Sequence, residues 1–286
     1  MKRVIINADD FGWSAPLNRA IVEAHHRGIL SSATLLTNFP GFDNAVELAR
    51  QTPSLGVGLH LNIVHGVPLS PPEKIPSLVG NNGNFAGMST ILRRAMMGRL
   101  QRSDLDRELS AQLQRCREQL GEPTHLDSHK HVHIFRPIRD AFIALAGQLG
   151  SPRLRTPHET LQLGISVRDW QCRVFRILAR RTKADVQRAG CVTPDHFIGV
   201  ADTGRMTSAV YHRVFNMLVD GVTEIMCHPG PANSNDGVTG SYFITTSREL
   251  EFNALLDPVL IDRISSSDIQ QIHYGQIPTD TATPWK

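Results

Sequence analysis

The stretch HLDSHKHVH, residues 125–133, sets His125, Asp127, His129, His131 and His133 at every second position. In an extended strand alternate side chains share a face, so these groups would line one side until the strand ends. Such a face is not an ordinary core. Burying neutral imidazoles and a carboxylate without partners costs on the order of several kcal/mol, whereas a bound divalent cation satisfies the lone pairs of whichever residues ligate it. The plainer alternative is a solvated His-rich tract. Three other places carry matching chemistry: ADDFG supplies the adjacent Asp9 and Asp10, GLHLN supplies His60, and MCHP supplies His228. One carboxylate and two imidazoles from separate strands form an incomplete coordination shell, which leaves room for water and substrate. A cation draws the pKa of water toward neutrality, and a carboxylate beside it can take the proton. Consecutive residues leaving a strand point in different directions, so one of Asp9 and Asp10 can ligate while the other acts as base.

These residues need a frame that gathers them at one rim. RVIINA (3–8) is an apolar run ending at Asp9, and an amphipathic pattern from Leu17 to His26 closes at Gly28. The cycle repeats through 31–37, the helical 42–50 and 55–63. Continuous apolar runs alternating with helical segments argue for parallel strands and crossover helices, the α/β class. Residues 67–85, rich in Pro, Gly and Asn, read as a long loop, and 89–120 as helical, with Ser103 and Asp106 as a capping box and Gly121 as terminator. THLDS (124–128) is a further strand, followed by a helix over 137–149, RLRT (153–156), DHFIGV (195–200), a helix over 207–219 and VTEIMC (222–227). About seven β/α units in one chain of this length imply a distorted (β/α) barrel like the TIM barrel, with its site at the C-terminal ends of the strands. The chain reads as one domain over 1–286, with insertions near 64–120 and 157–192.

The chain has 286 residues with 41% hydrophobic content, enough for a full core, and a mean hydropathy of −0.19. A net charge of +3 is too small to argue for nucleic acid. The four cysteines are scattered with no CxxC pair, which fits a reducing compartment. The first residues read as a strand, not a signal peptide, and no apolar segment reaches the roughly 20 residues of a membrane span. A cytoplasmic protein is expected. Residues 168–188 carry seven Lys or Arg against two acids, with Trp170, Val174, Ile177 and Leu178 at helical spacing. That pattern fits a helix packed by its apolar face with a solvated basic side, or one touching an anionic membrane surface. GVGLHL lacks the third glycine of a dinucleotide fingerprint, and there is no GxSxG, P-loop or HExxH.

Together, ADDFG, GLHLN (58–62), THLDSHKHVH (124–133) and MCHP (226–229) resemble the YdjC-like carbohydrate deacetylase family, in order and over nearly the entire chain. The resemblance implies a distorted barrel related to polysaccharide deacetylases and metal-dependent removal of acetyl from an N-acetylated sugar. It implies Asp10, His60 and His129 as metal ligands, Asp9 as general base and His228 as general acid. Arg155 matches an arginine-then-proline region and is expected to orient Asp9 or bind substrate. His131 and His133 fit the pattern with no assigned role; one reading has them or Asp127 hydrogen-bonding to His129. The segment from Asp195 to Pro229 is similar to the hopanoid-biosynthesis-associated branch, which implies a GlcNAc-bearing hopanoid lipid as substrate. The alternatives are a soluble chitooligosaccharide substrate, a barrel metal phosphoesterase, or a sugar-binding protein without catalysis. One divalent ion is expected, magnesium by resemblance, while two nitrogens and one oxygen equally suit zinc, manganese, cobalt or nickel. A homodimer and peripheral membrane contact complete the expectations. Trp13 and Phe39 would stack on a sugar ring or pack in the core, and His65 and His196 read as structural or loop residues.

Overall fold

The computed structural model describes residues 1–159, 170–231, 245–266 and 268–278. Its elements in chain order are β1 (Lys2–Phe11), α1 (Ala15–Arg27), β2 (Ser32–Leu35), α2 (Phe42–Gln51), β3 (Gly56–Leu61), α3 (Met88–Met96), α4 (Arg102–Leu120), β4 (Leu126–Ser128), α5 (Arg136–Ala146), α6 (Trp170–Arg188), β5 (His196–Ile198), α7 (Ser208–Met217), β6 (Gly221–Cys227), α8 (Thr245–Leu255), α9 (Pro258–Ser266) and β7 (Ile269–Gln271). Every strand pairing is parallel, in the order β4-β3-β2-β1-β6-β5. β7, which has no counterpart in the sequence reading, pairs with Lys2–Val4 of β1, and β2 takes over from Asn7 onward.

β1 is buried from Val4 to Phe11 because strands flank it and helices cover it, which is why RVIINA reads as a continuous apolar run. The sheet curls into a half-barrel. Its edges approach one another through residues 153–159, where isolated parallel bridges join Leu126 to Leu154, Arg153 to Val192 and Glu159 to Phe197. The distorted barrel expected from the alternating pattern is therefore the fold observed, with RLRT reduced from a strand to bridging residues.

α4 shows how the long loop is held. Leu105, Leu109 and Leu113 bury an apolar stripe, while Asp104, Glu108 and Gln112 form a buried polar stripe beside it. Glu108 accepts the backbone N–H groups of Leu69 and Ser70 at 3.1 and 2.8 Å, and Asp104 accepts that of Ser77 at 2.9 Å. Gln112 exchanges bonds of 2.9 and 2.6 Å with the backbone of Asn62. Satisfying these loop amides explains how carboxylates sit in a helix core. The Ser103–Asp106 capping box does not form: α4 begins two residues earlier, Gln101 is its N-cap, and Asp106 pairs with Arg102 at 2.7 Å. Gly121 ends the helix at φ 81°, as read.

α6 buries Ala179, Thr182 and Val186, whereas Val174 and Ile177 are exposed. Its inward face is thus not the whole apolar set that helical spacing suggested. No helix among the described residues is long and apolar enough to cross a membrane.

Candidate active site

The C-terminal ends of β1, β3, β4 and β6 deliver their polar residues to one rim. β1 ends irregularly, with a register break against β2 between Ala8 and Phe11 and Asp10 at φ 68°. A positive φ is uncommon for a residue other than glycine, and here it turns Asp10 away from the regular strand alternation. Asp10, His60 and His129 are buried and offer one ligand atom each, all within 4.8 Å of one another. Asp10 Oδ1 lies 3.2 Å from His129 Nδ1 and 3.8 Å from His60 Nε2. His129 Nε2 and Asp10 Oδ1 are buried with no hydrogen-bond partner among the described residues. A carboxylate oxygen without a hydrogen-bond partner, with two imidazole rings converging on it, fits a divalent cation.

The alternating face expected for 125–133 is not formed. β4 covers only Leu126–Ser128, and Lys130 and His131, both at positive φ, wind the chain through a short 3-10 turn over His129–Ile134. His129 therefore enters the site from the turn. His125 stacks on Tyr274 with centroids 3.6 Å apart, and Gly58 makes that possible, since a Cβ there would fall 2.3 Å from the His125 ring. His133 bonds Ser128 Oγ through Nδ1 at 2.5 Å and stacks on Phe142, while His131 packs edge-on against Phe197. None of these three histidines joins the ligand group.

Asp127 does not serve His129, contrary to the second-neighbour role raised for it. Its Oδ1 takes a 2.6 Å bond from His60 Nδ1, because pairing of β3 with β4 sets His60 opposite Asp127. The bond assigns the proton to Nδ1 and leaves Nε2 as a donor atom toward Asp10. Burial lowers the His60 pKa, and Asp127, Asp9 and Asp10 outweigh it, so the net shift is upward.

Arg155 is the hub. Fully buried, it grips Asp9 through two 2.7 Å bonds, reaches Asp127 from Nη1, and donates from Nε to Glu224 Oε1 at 2.7 Å. Glu224 also accepts the hydroxyl of Tyr274. Asn7 Nδ2 adds a 3.1 Å bond to Asp9. Burial opposes ionisation of Asp9, but Arg155, with His60 and His228, holds its carboxyl well below the usual carboxylate range. Asp10 is likewise kept low against burial, by Arg248 and His129. His228 Nε2 stands 3.8 Å from Asp9 Oδ2, and burial pushes its pKa down to about 4.

Trp13 and Phe39 stack on one another at 4.4 Å and are largely buried, so the pair packs as a unit. His65, read from sequence as a structural or loop residue, lies at the rim: its ring is 5.9 Å from that of His129 and edge-on to Trp13 at 5.2 Å. The sequence reading also passed over Glu224, Tyr274, Arg248 and Glu251. Only Glu224 had a visible signal, a lone carboxylate inside the apolar run VTEIMC.

A family model described as YdjC-like protein matches residues 3–266. The chain belongs to that family. It is 32% identical over 277 residues to a carbohydrate deacetylase of Geobacillus stearothermophilus, covering 95% of this chain and 96% of the relative. A chitooligosaccharide deacetylase of Proteus mirabilis is 32% identical over 246 residues, covering 84% and 86%. The human carbohydrate deacetylase is 32% identical over 290 residues, covering 94% of this chain and 88% of its own. Among solved structures, a candidate cellobiose-phosphate cleavage protein of Enterococcus faecalis V583 superposes with a TM-score of 0.75 at 26% identity, covering 96% of this chain and 97% of its own.

Proposed function

We propose that this YdjC-like chain is a metal-dependent hydrolase that removes the N-acetyl group from an N-acetylated amino sugar. Relatives named carbohydrate deacetylase and chitooligosaccharide deacetylase, matched over most of the chain, support the substrate class. The observation that carries the chemistry is Asp9, an ionised carboxylate outside the Asp10, His60 and His129 group and adjacent to it in sequence; Asp9 also converges with His60 and Asp127, but there Arg155 takes both of its oxygens and Asp127 holds His60.

A divalent cation held by Asp10, His60 and His129 would supply Lewis-acid polarisation of the acetyl carbonyl and of water. Asp9 accepts the proton of the attacking water, and the Arg155 fork fixes the orientation in which it does so. Because the side-chain bonds of Arg155 among the described residues run to carboxylates and its side chain is fully buried, positioning of Asp9 is its proposed role in place of substrate contact. The water oxygen adds to the amide carbon, the C–N bond breaks, and His228 delivers a proton to the departing amine. His228 is neutral at rest, so its proton must arrive during turnover; Asp9, 3.8 Å away, is the nearby source. Acetate and a free amino sugar result.

Two imidazoles and a carboxylate suit zinc, manganese, cobalt or nickel, and family resemblance implies magnesium; reconstitution of the stripped protein with each ion decides among them. A finer reading gives the sugar a lipid aglycone such as a hopanoid. The exposed Val174 and Ile177 on α6, flanked by Arg173 and Arg180, favour it. Acetate release from diacetylchitobiose and from a GlcNAc-headed hopanoid, with EDTA and Asp9→Asn controls, tests both. Release from the hopanoid alone supports the lipid substrate, release from chitobiose the soluble one, and release from neither by a cation-loaded protein overturns the deacetylase reading.

A further inference from the structure

α8 reaches the site at two points. Arg248 donates from Nη2 to Asp10 Oδ2 at 2.6 Å, and Glu251 Oε2 accepts the backbone N–H of His228 at 2.5 Å. Residues three apart lie on neighbouring positions of one helix face, so a single buried face meets both the candidate ligand and the candidate acid. Gly230 packs closely against Arg248 and Leu17. A Cβ at that position would fall 3.1 Å from Cβ and Cδ of Arg248, and the Gly230 N–H bonds the Arg248 carbonyl at 3.1 Å.

The two oxygens of Asp10 thus have different surroundings. Oδ2 is occupied by Arg248, while Oδ1 faces the two imidazoles, 3.2 Å from His129 Nδ1 and 3.8 Å from His60 Nε2. We infer that Arg248 is a positioning residue that holds Oδ2 so that Asp10 meets a cation through Oδ1 alone. This rests on the reading of Asp10, His60 and His129 as cation ligands. Two effects then act with the same sign. A guanidinium beside the site repels a divalent cation, and a carboxylate with one oxygen engaged cannot grip the ion with both. Arg248 therefore lowers cation affinity and keeps the coordination shell open. If the arginine merely braced Asp10, its removal would weaken binding instead, so the direction of the change separates the two roles.

The test is isothermal titration of the full-length, metal-stripped protein with Zn²⁺ and with Mn²⁺, comparing wild type, Arg248→Met and Arg248→Lys. Arg248→Met is expected to bind more tightly by about tenfold, as removal of a positive charge beside the cation requires, and Arg248→Lys to fall between. Unchanged or weaker binding by Arg248→Met, in a variant that melts cooperatively, overturns the inference. Should that variant fail to fold, Arg248→Lys decides alone: tighter binding than wild type supports the inference, and equal or weaker binding overturns it. Wild-type protein that takes up neither ion fails at an earlier point, overturning the ligand reading itself and this inference with it.

Discussion

Asp9 and Asp10 are adjacent on β1, yet different arginines hold their carboxylates: Arg155 takes both oxygens of Asp9, and Arg248 takes one oxygen of Asp10. One carboxylate is fixed as a rigid acceptor, and the other keeps an oxygen turned toward His60 and His129.

Asp9→Asn should separate chemistry from cation binding. Turnover is expected to fall by about 10²–10⁴, the usual contribution of a positioned general base, while cation content measured by elemental analysis stays at the wild-type level. Near-full activity would remove Asp9 from the mechanism.

His60→Ala and His129→Ala should lose cation and activity together. Asp127→Asn is the subtler variant, since it disturbs the 2.6 Å bond that fixes the His60 tautomer without replacing Asp10, His60 or His129. Cation affinity should drop by about 10–100-fold, read by competition with a chelating dye. An unchanged affinity would show that His60 is oriented by something else.

Arg155→Met removes the counter-charge of Asp9, Asp127 and Glu224 at once. Breaking a buried ion pair from one side costs roughly 3–5 kcal/mol, so urea unfolding should show a loss of at least that order, or no folded protein. Arg155→Lys retains charge but not the fork and should remain destabilised. A midpoint within error of wild type for either variant would contradict the hub.

Glu251 gives a pH signature. Burial raises its pKa from 4.5 to about 7 despite the backbone N–H groups of His228 and Met206 that favour the anion. A carboxyl with a raised folded pKa contributes stability that is full below its unfolded value and is lost as pH rises through the folded one. Relative to Glu251→Gln, wild type should therefore lose stability between about pH 4.5 and 7, by on the order of 3 kcal/mol at most. His133 and His228, pushed down by burial to about 3 and about 4, contribute with the opposite sign in both proteins and cancel in the difference. Parallel stability curves for the two proteins would show that Glu251 does not titrate in this window.

Local pattern determined much of this protein. The alternation of apolar runs with helical segments gave a parallel α/β barrel, because strands covered on both faces must be apolar throughout and their crossovers must be helices. Polar residues breaking those runs at their ends, Asp9, Asp10, His60, Asp127 and His228, marked the rim, since an apolar strand carries such groups at little cost only where it leaves the core.

Tertiary structure decided what each group touches. The periodicity of 125–133 suggested one shared face, but positive φ at Lys130 and His131 ends the strand after Ser128, and that turn is set by packing rather than by spacing. Asp127 binds His60 instead of His129 because strand register, not sequence proximity, sets cross-strand neighbours. Arg248, Glu251 and Tyr274 come from elements after residue 244 that carry no motif, and they reach the site only because α8 and the turn after β7 pack beside β1 and β6. A charged group that is buried by distant chain has no local signature; its partners exist only once the barrel closes around it.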